Sequence, residues 1–127
     1  MVVPLRPREV FDDTRAFAMR AAEFLTSRAP DLLTVEPDKE KRGDRVYIDV
    51  LRNDYGQAVV PPYAVRALPG APVATPIEWY ELDHTEPGEF TMTTARRRIA
   101  QRGDPWNGIR RRGQELVKAR MKLARLE

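Results

Sequence analysis

The chain has 127 residues, of which 42% are hydrophobic and 32% are charged, and its formal net charge is +3. This composition is typical of a globular domain that buries a hydrophobic core. The sequence contains no cysteine, which excludes disulfides, thiol catalysis and cysteine-type zinc sites. It also contains no long apolar run and no signal-peptide pattern, so we expect a cytoplasmic protein without membrane contact.

The predicted elements of the first half are a short strand, a helix and a β-hairpin. The strand covers residues 2–5, and the helix is capped by Asp12 or Asp13 and ends near Arg28. Polar residues 34–45 are predicted to form a loop. The apolar, β-branched run 46–53 is typical of a buried strand, and residues 57–60 are predicted to pair back with it as a hairpin.

The second half is predicted to be a proline-rich crossing followed by two basic helices, at about residues 93–126. Ile77 and Trp79 are the expected anchors of a short element at 76–82. The first helix is expected to end at Gly103, and the second begins at Asp104-Pro105, a cap followed by proline at the first helical position. The predicted class is therefore α/β (α+β), with a mainly antiparallel sheet, a β-hairpin and flanking helices.

Charge is distributed unevenly along the sequence. From Arg96 onward basic residues far outnumber acidic ones, and Arg111 and Lys118 lie on one stripe of the predicted last helix. Because phosphate contacts supply most non-specific affinity for nucleic acid, a basic C-terminal third fits a polyanionic partner. The alternative is a solvated helix face without a partner.

One carboxylate, Asp49, lies at the centre of the predicted strand 46–53. A charge in a buried strand costs free energy unless a metal, a cation or several hydrogen bonds satisfy it. Asp49 is therefore the best candidate for an active-site carboxylate. The alternative is a structural ion pair with Arg45 or Arg52, and the strand by itself does not decide between the two.

Two long motifs carry a resemblance to a known family: V-Y-I-D-V-L-R-N at 46–53, and P-P-Y-A-V-R-A-L-P-G-A-P-V-A-T-P-I-E-W-Y-E-L at 61–82. They resemble the C-terminal part of the polymerase domain of bacterial DNA ligase D, in the archaeo-eukaryotic primase superfamily. The resemblance extends to F-T at 90–91, to R-G-D-P-W at 102–106 and back to residues 2–5. We therefore predict that residues 1–127 are the C-terminal portion of such a domain.

The resemblance implies a nucleotidyltransferase that repairs double-strand breaks by end joining. The complete domain would add nucleotides, often ribonucleotides, to a 3′ end with two divalent metal ions, Mn²⁺ or Mg²⁺. Asp49 matches the family position of a catalytic metal ligand. Arg66 matches an arginine that binds the phosphates of the incoming nucleotide, a role that suits its planar fork of donors. The alternative for Arg66 is an ion pair with Asp49 or Glu81.

The resemblance also implies contacts with DNA. Lys41 and Arg42 lie in the loop before the motif strand, where the family carries basic residues that help to hold broken DNA ends. A solvated loop charge is the equal alternative for Arg42. Arg111 and Lys118 would contact the DNA backbone from the basic C-terminal helices.

Two family motifs have no complete match in the sequence. There is no Asp-x-Asp pair, and of the pattern G-x-H-V-x-V-P-L only the end is present, at residues 2–5. We expect the chain by itself to lack polymerase activity, and a metal to bind only in a complete site. The implied partners are DNA ends, a nucleoside triphosphate, a chain that carries the missing half, a ligase domain and Ku. The alternatives are a non-catalytic DNA-binding module and an inactive truncated remnant.

Overall fold

The computed structural model describes residues 2–127 and divides them into two compact units. One unit comprises the residues up to Ala58 together with Arg110–Glu127, and the other is Val59–Ile109. The elements in chain order are α1 (Phe11–Arg28), β1 (Leu33–Thr34), α2 (Lys39–Arg42), β2 (Val46–Tyr47), a first 3₁₀ helix (Trp79–His84), α3 (Met92–Arg102), a second 3₁₀ helix (Ile109–Arg112) and α4 (Leu116–Leu126). None of the helices in the described part of the chain is long and apolar enough to cross a bilayer.

Helix α1 ends where the sequence predicts, but it begins earlier. Its N-cap is Val10, whose carbonyl accepts the Thr14 N–H at 3.0 Å, and Asp12 and Asp13 lie in the first turn. Carboxylates in the first turn still interact favourably with the positive end of the helix dipole. The prediction that Asp12 or Asp13 caps the helix is therefore wrong, whereas the predicted end at Arg28 is confirmed.

Helices α1 and α4 pack side by side in the first unit and run in the same direction. The Glu9 carboxylate accepts the Leu116 N–H, and the Asp13 carboxylate binds Arg120, both at a separation of 107 residues. A constant separation is expected for parallel helices, since both rise equally per residue. The buried residues of this pair are Ala22, Leu116 and Leu123.

The mixed α and β class is confirmed, but the sheet differs from the prediction. The sheet of the described residues has two strands, and β1 and β2 pair in parallel, with Leu33 opposite Val46 and Thr34 opposite Tyr47. The predicted antiparallel hairpin of 46–53 with 57–60 is wrong. The Asp49 carboxylate accepts the Leu51 N–H, and the Val50 carbonyl accepts the Asn53 N–H. These local turn bonds occupy groups that a longer strand would offer to a partner strand.

The proline-rich crossing folds back on itself in the second unit. Val65 and Val73 form an antiparallel bridge, and the carbonyl of Ala74 accepts the Tyr63 N–H at 2.8 Å. Gly70, with φ of 80°, lies in the turn between them. Buried Val73 also donates its N–H to the Phe90 carbonyl at 2.7 Å, which joins this turn to the segment before α3.

The basic segment 93–126 is not two continuous helices. Helix α3 begins with a capping box between Thr91 and Thr94 and ends at Gly103, as predicted for its end. The predicted single helix from Asp104 to Leu126 is wrong, because the chain forms turns, the second 3₁₀ helix and then α4. Tertiary pairing explains the interruption, since Gln114 forms a parallel bridge with Leu5. The predicted strand 2–5 is reduced to this single bridge.

Candidate functional site

Asp49 lies just beyond β2 on an exposed turn. Its Oδ1 accepts the Leu51 N–H at 3.1 Å, and its Oδ2 lies 3.2 Å from Arg52 Nε. The side chain is 38% exposed, so the prediction of a buried strand carboxylate is wrong. The ion pair with Arg52, which the sequence left open, is present. Exposed pairs of this kind contribute little to stability, so the carboxylate remains accessible to a cation.

The described residues do not assemble a metal centre around Asp49. Within 2–127 no three histidine, cysteine, aspartate or glutamate side chains are grouped so that they could hold a metal ion. A two-metal site needs several carboxylates that clamp both ions. Asp49 supplies one, and Arg52 already binds it. These residues alone therefore do not fit a two-metal centre.

Arg66 is held by its backbone and free at its side chain. Arg66 directly follows Val65, a residue of the antiparallel bridge, and its N–H donates to the Pro72 carbonyl at 2.8 Å. Its exposed guanidinium forms no hydrogen bond or ion pair with the residues that the structure describes. The alternative of a structural pair with Glu81 is not realised, because Glu81 is bound by Arg98 and Arg102.

Tyr63 anchors the start of the turn that carries Arg66, a role that sequence reasoning missed. Its backbone is in the left-handed region, with φ of 64°, which is uncommon for a residue other than glycine. Its hydroxyl donates to the Asp104 carboxylate at 2.5 Å. Burial, followed by this bond to Asp104, raises the pKa of the Tyr63 hydroxyl, so it stays a donor at neutral pH.

Removal of the Tyr63 hydroxyl by Tyr63→Phe is expected to lower the free energy of unfolding by about 2 kcal/mol. The half-buried Asp104 carboxylate would lose a charge-assisted hydrogen bond, although the Trp106 N–H at 2.9 Å would remain. Urea unfolding measures the change. Tyr80→Phe is the matched control, because Tyr80 is exposed, and an equal effect of both variants would contradict the assignment.

Arg42 closes its own loop instead of projecting into solvent. Its Nε donates to the Glu36 carbonyl at 2.9 Å, Nη2 donates to the Pro37 carbonyl, and the guanidinium lies 3.9 Å from the Tyr47 ring centre. Its Nη1 donates to no described residue. Lys41 beside it is exposed, 3.5 Å from an Asp38 carboxylate oxygen. The prediction that residues 34–45 form a loop is wrong in part, because Thr34 belongs to β1 and Lys39–Arg42 form α2.

The other two predicted DNA-binding residues are free cations. Arg111, in the second 3₁₀ helix, and Lys118, in α4, are exposed. Neither side chain forms an ion pair or a hydrogen bond within the described part of the chain. Their charges are therefore available to an anionic partner.

A buried ion-pair cluster in the second unit was not predicted. Glu81 is 8% exposed, and its carboxylate binds buried Arg98 and, at 2.8 Å, Arg102. It also accepts the Glu78 N–H at 2.7 Å. Burial by itself would raise the pKa of Glu81, but the Glu78 hydrogen bond and the two guanidinium groups outweigh it and lower the pKa. Because Glu81 and Arg98 are 17 residues apart on different elements, no local pattern predicts their pairing.

The prediction that Trp79 anchors the short element at 76–82 is wrong, because its side chain is 73% exposed.

Over 82% of its length the chain is similar, with a TM-score of 0.74 and 26% identity, to the polymerase domain from Mycobacterium tuberculosis Ligase D in complex with DNA, and it covers 36% of that domain. The fold is therefore that of part of a ligase D polymerase domain. The family model of the LigD primase-polymerase domain matches residues 1–106. The chain therefore belongs to the LigD primase-polymerase domain family.

Two full-length relatives support this membership. The chain is 31% identical over 117 residues to the bifunctional non-homologous end joining protein LigD of Bacillus subtilis. These aligned residues make up 91% of this chain and 19% of that protein. The chain is 28% identical over 109 residues to the multifunctional non-homologous end joining protein LigD of Pseudomonas aeruginosa. These aligned residues make up 84% of this chain and 13% of that protein. The chain thus spans a fifth or less of these relatives.

Proposed function

We propose that this chain forms part of an end-joining DNA-repair polymerase and binds both a nucleoside triphosphate and DNA. Arg66 would bind the triphosphate, and Asp49 would be one ligand of an Mg²⁺ or Mn²⁺ centre completed by residues outside those described. Membership in the LigD primase-polymerase family supports this proposal. A ligase domain and Ku would be its partners in the joining reaction.

The free guanidinium of Arg66 on a fixed turn carries the nucleotide part of the proposal. Two bonds hold the backbone beside it, from Arg66 N–H to Pro72 and from Ala74 N–H to the Ala64 carbonyl. An arginine held in this way loses little further backbone entropy when it binds phosphate through two parallel hydrogen bonds. Solvent exposure leaves the donors accessible to a triphosphate.

The exposed cations Lys41, Arg111 and Lys118 carry the DNA part of the proposal. Each is positioned on a short helix or on α4 and projects into solvent. Arg42 would hold the loop that carries Lys41 and contact phosphate through Nη1. The similar Mycobacterium structure is a complex with DNA, which supports a DNA-facing surface in this fold.

A second candidate function is a non-catalytic DNA-binding module. The ion pair of Asp49 with Arg52 favours it, because a carboxylate with a protein cation as partner needs no metal. The two candidates differ in nucleotide binding. A module without catalytic function would bind DNA with a steep salt dependence and would be indifferent to Asp49→Ala and Arg66→Ala.

Nucleotide binding is the direct test of the Arg66 assignment. We expect the chain to bind a fluorescent nucleoside triphosphate and Arg66→Ala to weaken that binding roughly tenfold, the cost of a charge-assisted pair. Arg96→Ala is the matched control, since Arg96 is also exposed and without a partner among the described residues. Equal affinities of the two variants would contradict the proposal and favour the non-catalytic module.

DNA binding is tested by its salt dependence. The double variant Arg111→Glu, Lys118→Glu is expected to bind duplex DNA with a shallower salt dependence. The slope of log affinity against log salt should decrease in magnitude by about 2, since two phosphate contacts are removed. Fluorescence anisotropy with a labelled duplex measures the slope. If the slope of the double variant equals that of the unmodified chain, neither residue contacts the DNA backbone.

A further inference from the structure

A cleft lies within the unit Val59–Ile109, between the first 3₁₀ helix and α3. Its volume is about 380 Å³, and none of the residues proposed above for nucleotide or DNA binding lines it. The lining residues that bear on its chemistry are Tyr80, Glu81, Glu89, Arg97, Arg98 and Arg102.

The cleft has an excess of positive charge. Three arginines line it against two glutamates, and Glu81 is already bound by Arg98 and Arg102. Arg97 is exposed and has no ion-pair or hydrogen-bond partner among the described residues. Glu89 is exposed and accepts the Glu86 N–H at 3.2 Å. A concave surface with this charge balance concentrates anions.

Arg98 carries hydrogen-bond donors that the protein leaves unused. Its side chain is 7% exposed, and one nitrogen binds Glu81. Its Nε and Nη1 are buried and donate to no described residue, and the guanidinium lies 6.0 Å from the Phe90 ring centre. Buried donors without acceptors cost free energy, because they have lost their hydrogen bonds to water. An oxygen-rich anion that enters the cleft would offer acceptors close to this guanidinium.

An exposed aromatic ring lines the cleft. It belongs to Tyr80, which is 72% exposed. Exposed aromatic side chains beside a cationic groove are the combination by which proteins bind single-stranded nucleic acid, because bases stack on the rings while phosphates bind the cations. An acidic peptide would use the arginines but would have no base to stack on the Tyr80 ring.

We propose that this cleft binds a segment of single-stranded nucleic acid, with a phosphate at Arg97, Arg98 and Arg102 and a base on Tyr80. The inference rests on the proposed DNA binding and deepens it, because it adds a second surface that prefers a single strand. That surface belongs to the unit Val59–Ile109, whereas Lys41, Arg111 and Lys118 belong to the other. The two surfaces can therefore be tested separately by substitution.

The test uses the full chain and a labelled oligothymidylate of about 12 nucleotides, which lies within the site sizes of such grooves. We expect Arg97→Glu to weaken binding about tenfold and to lower the salt slope by about 0.7, the value for one phosphate contact on a single strand. Arg96→Glu is the matched control, because the neighbouring residue on α3 undergoes the same charge change and does not line the cleft. We expect its affinity to stay within about twofold of the unmodified chain.

The aromatic part is tested by Tyr80→Ala, which is expected to weaken binding of the oligonucleotide about tenfold through loss of base stacking. Tyr55→Ala is its control, since Tyr55 is a similarly exposed tyrosine in the other unit. The circular dichroism spectrum of each variant verifies that it is folded. Two results together would identify the cleft as a peptide site and overturn the proposal. They are displacement of the oligonucleotide by polyglutamate at equal charge concentration, and unchanged oligonucleotide affinity in Tyr80→Ala.

The outcomes separate this inference from the proposed function. If Arg97→Glu and Arg96→Glu bind the oligonucleotide equally, the cleft is not a nucleic-acid site, whatever the duplex measurements show. If Arg97→Glu weakens single-strand binding while the Arg111 and Lys118 variants leave duplex binding unchanged, the inference stands and the proposed duplex contacts fail.

Discussion

Glu81→Gln is expected to lower the free energy of unfolding by about 3 kcal/mol, one of the two largest effects that we expect from a single substitution in this chain. The substitution keeps the size of the side chain and removes its charge. Arg98, at 7% exposure, would then keep a buried positive charge without a counterion. Breaking one side of a buried ion pair costs far more than the pair contributes, because the remaining charge stays desolvated. Urea unfolding measures the loss.

Two further variants determine whether the loss arises from the ion pair. Glu89→Gln removes an exposed carboxylate near the same elements and is expected to change stability by less than about 0.5 kcal/mol. In the double variant Glu81→Gln, Arg98→Met, no buried charge is left unpaired, so the cost is expected to be smaller than the sum of the two single costs. Additive single costs would show that Glu81 and Arg98 do not act as a pair.

The same carboxylate gives the unmodified chain a defined sensitivity to acid. The pKa of Glu81 in the folded state lies below its ordinary value of 4.5. The folded state therefore binds fewer protons than the unfolded state in this range, and stability rises with pH. The contribution is complete above the ordinary pKa and is lost as pH falls through the lower folded value. Unfolding from about pH 6 to about pH 3 is expected to show this slope in the unmodified chain and a shallower one in Glu81→Gln.

Leu116→Ala is expected to destabilise the unit that contains α1 and α4 by about 3 kcal/mol. Leu116 is the first residue of α4 and is almost fully buried, and Leu123, two turns later on the same face, is also buried. Truncation would remove apolar contacts from the packing of α4 on α1 and leave a cavity. Thermal unfolding followed by circular dichroism measures the change.

Val117→Ala controls for helix propensity and position. Val117 is adjacent on α4 and 59% exposed, so its truncation is expected to cost less than about 0.5 kcal/mol. Comparable losses in the two variants would show that α4 is not anchored through Leu116. The exposed ion pair between Arg20, in the middle of α1, and Glu127, at the C-terminal end of α4, is not expected to compensate, because such pairs contribute little.

Family membership could be predicted from the sequence because long, nearly gapless motifs define it. The runs at 46–53 and 61–82 identify a ligase-D-type polymerase domain without reference to contacts. Helix ends were also predictable where a local cause operates: Ala29-Pro30 ends α1, and Gly103, with φ of 81°, ends α3. In these cases the determining interactions lie within a few residues.

The sequence alone misjudged the features that depend on distant partners. The β-branched run 46–53 has strand propensity, yet only Val46–Tyr47 pairs with another strand. Beyond Tyr47, hydrogen bonds made by the Asp49 and Asn53 side chains fold the chain into a turn. Asp49 is consequently exposed, whereas the apolar pattern around it suggested burial. In the same way, a hydrophobic pattern favoured Trp79 as an anchor, and tertiary packing buried Glu81 instead.

The class of this protein follows from its sequence, as does the chemical identity of its candidate residues: the carboxylate of Asp49 and the guanidinium groups of Arg42 and Arg66. Which basic groups are free depends on contacts that form only in the folded chain. Arg66 is free, Arg42 closes its loop, and Arg98 is buried against Glu81. The physical reason is that ion pairs and strand partners form between residues far apart in the chain, and neither periodicity nor local propensity encodes such pairings.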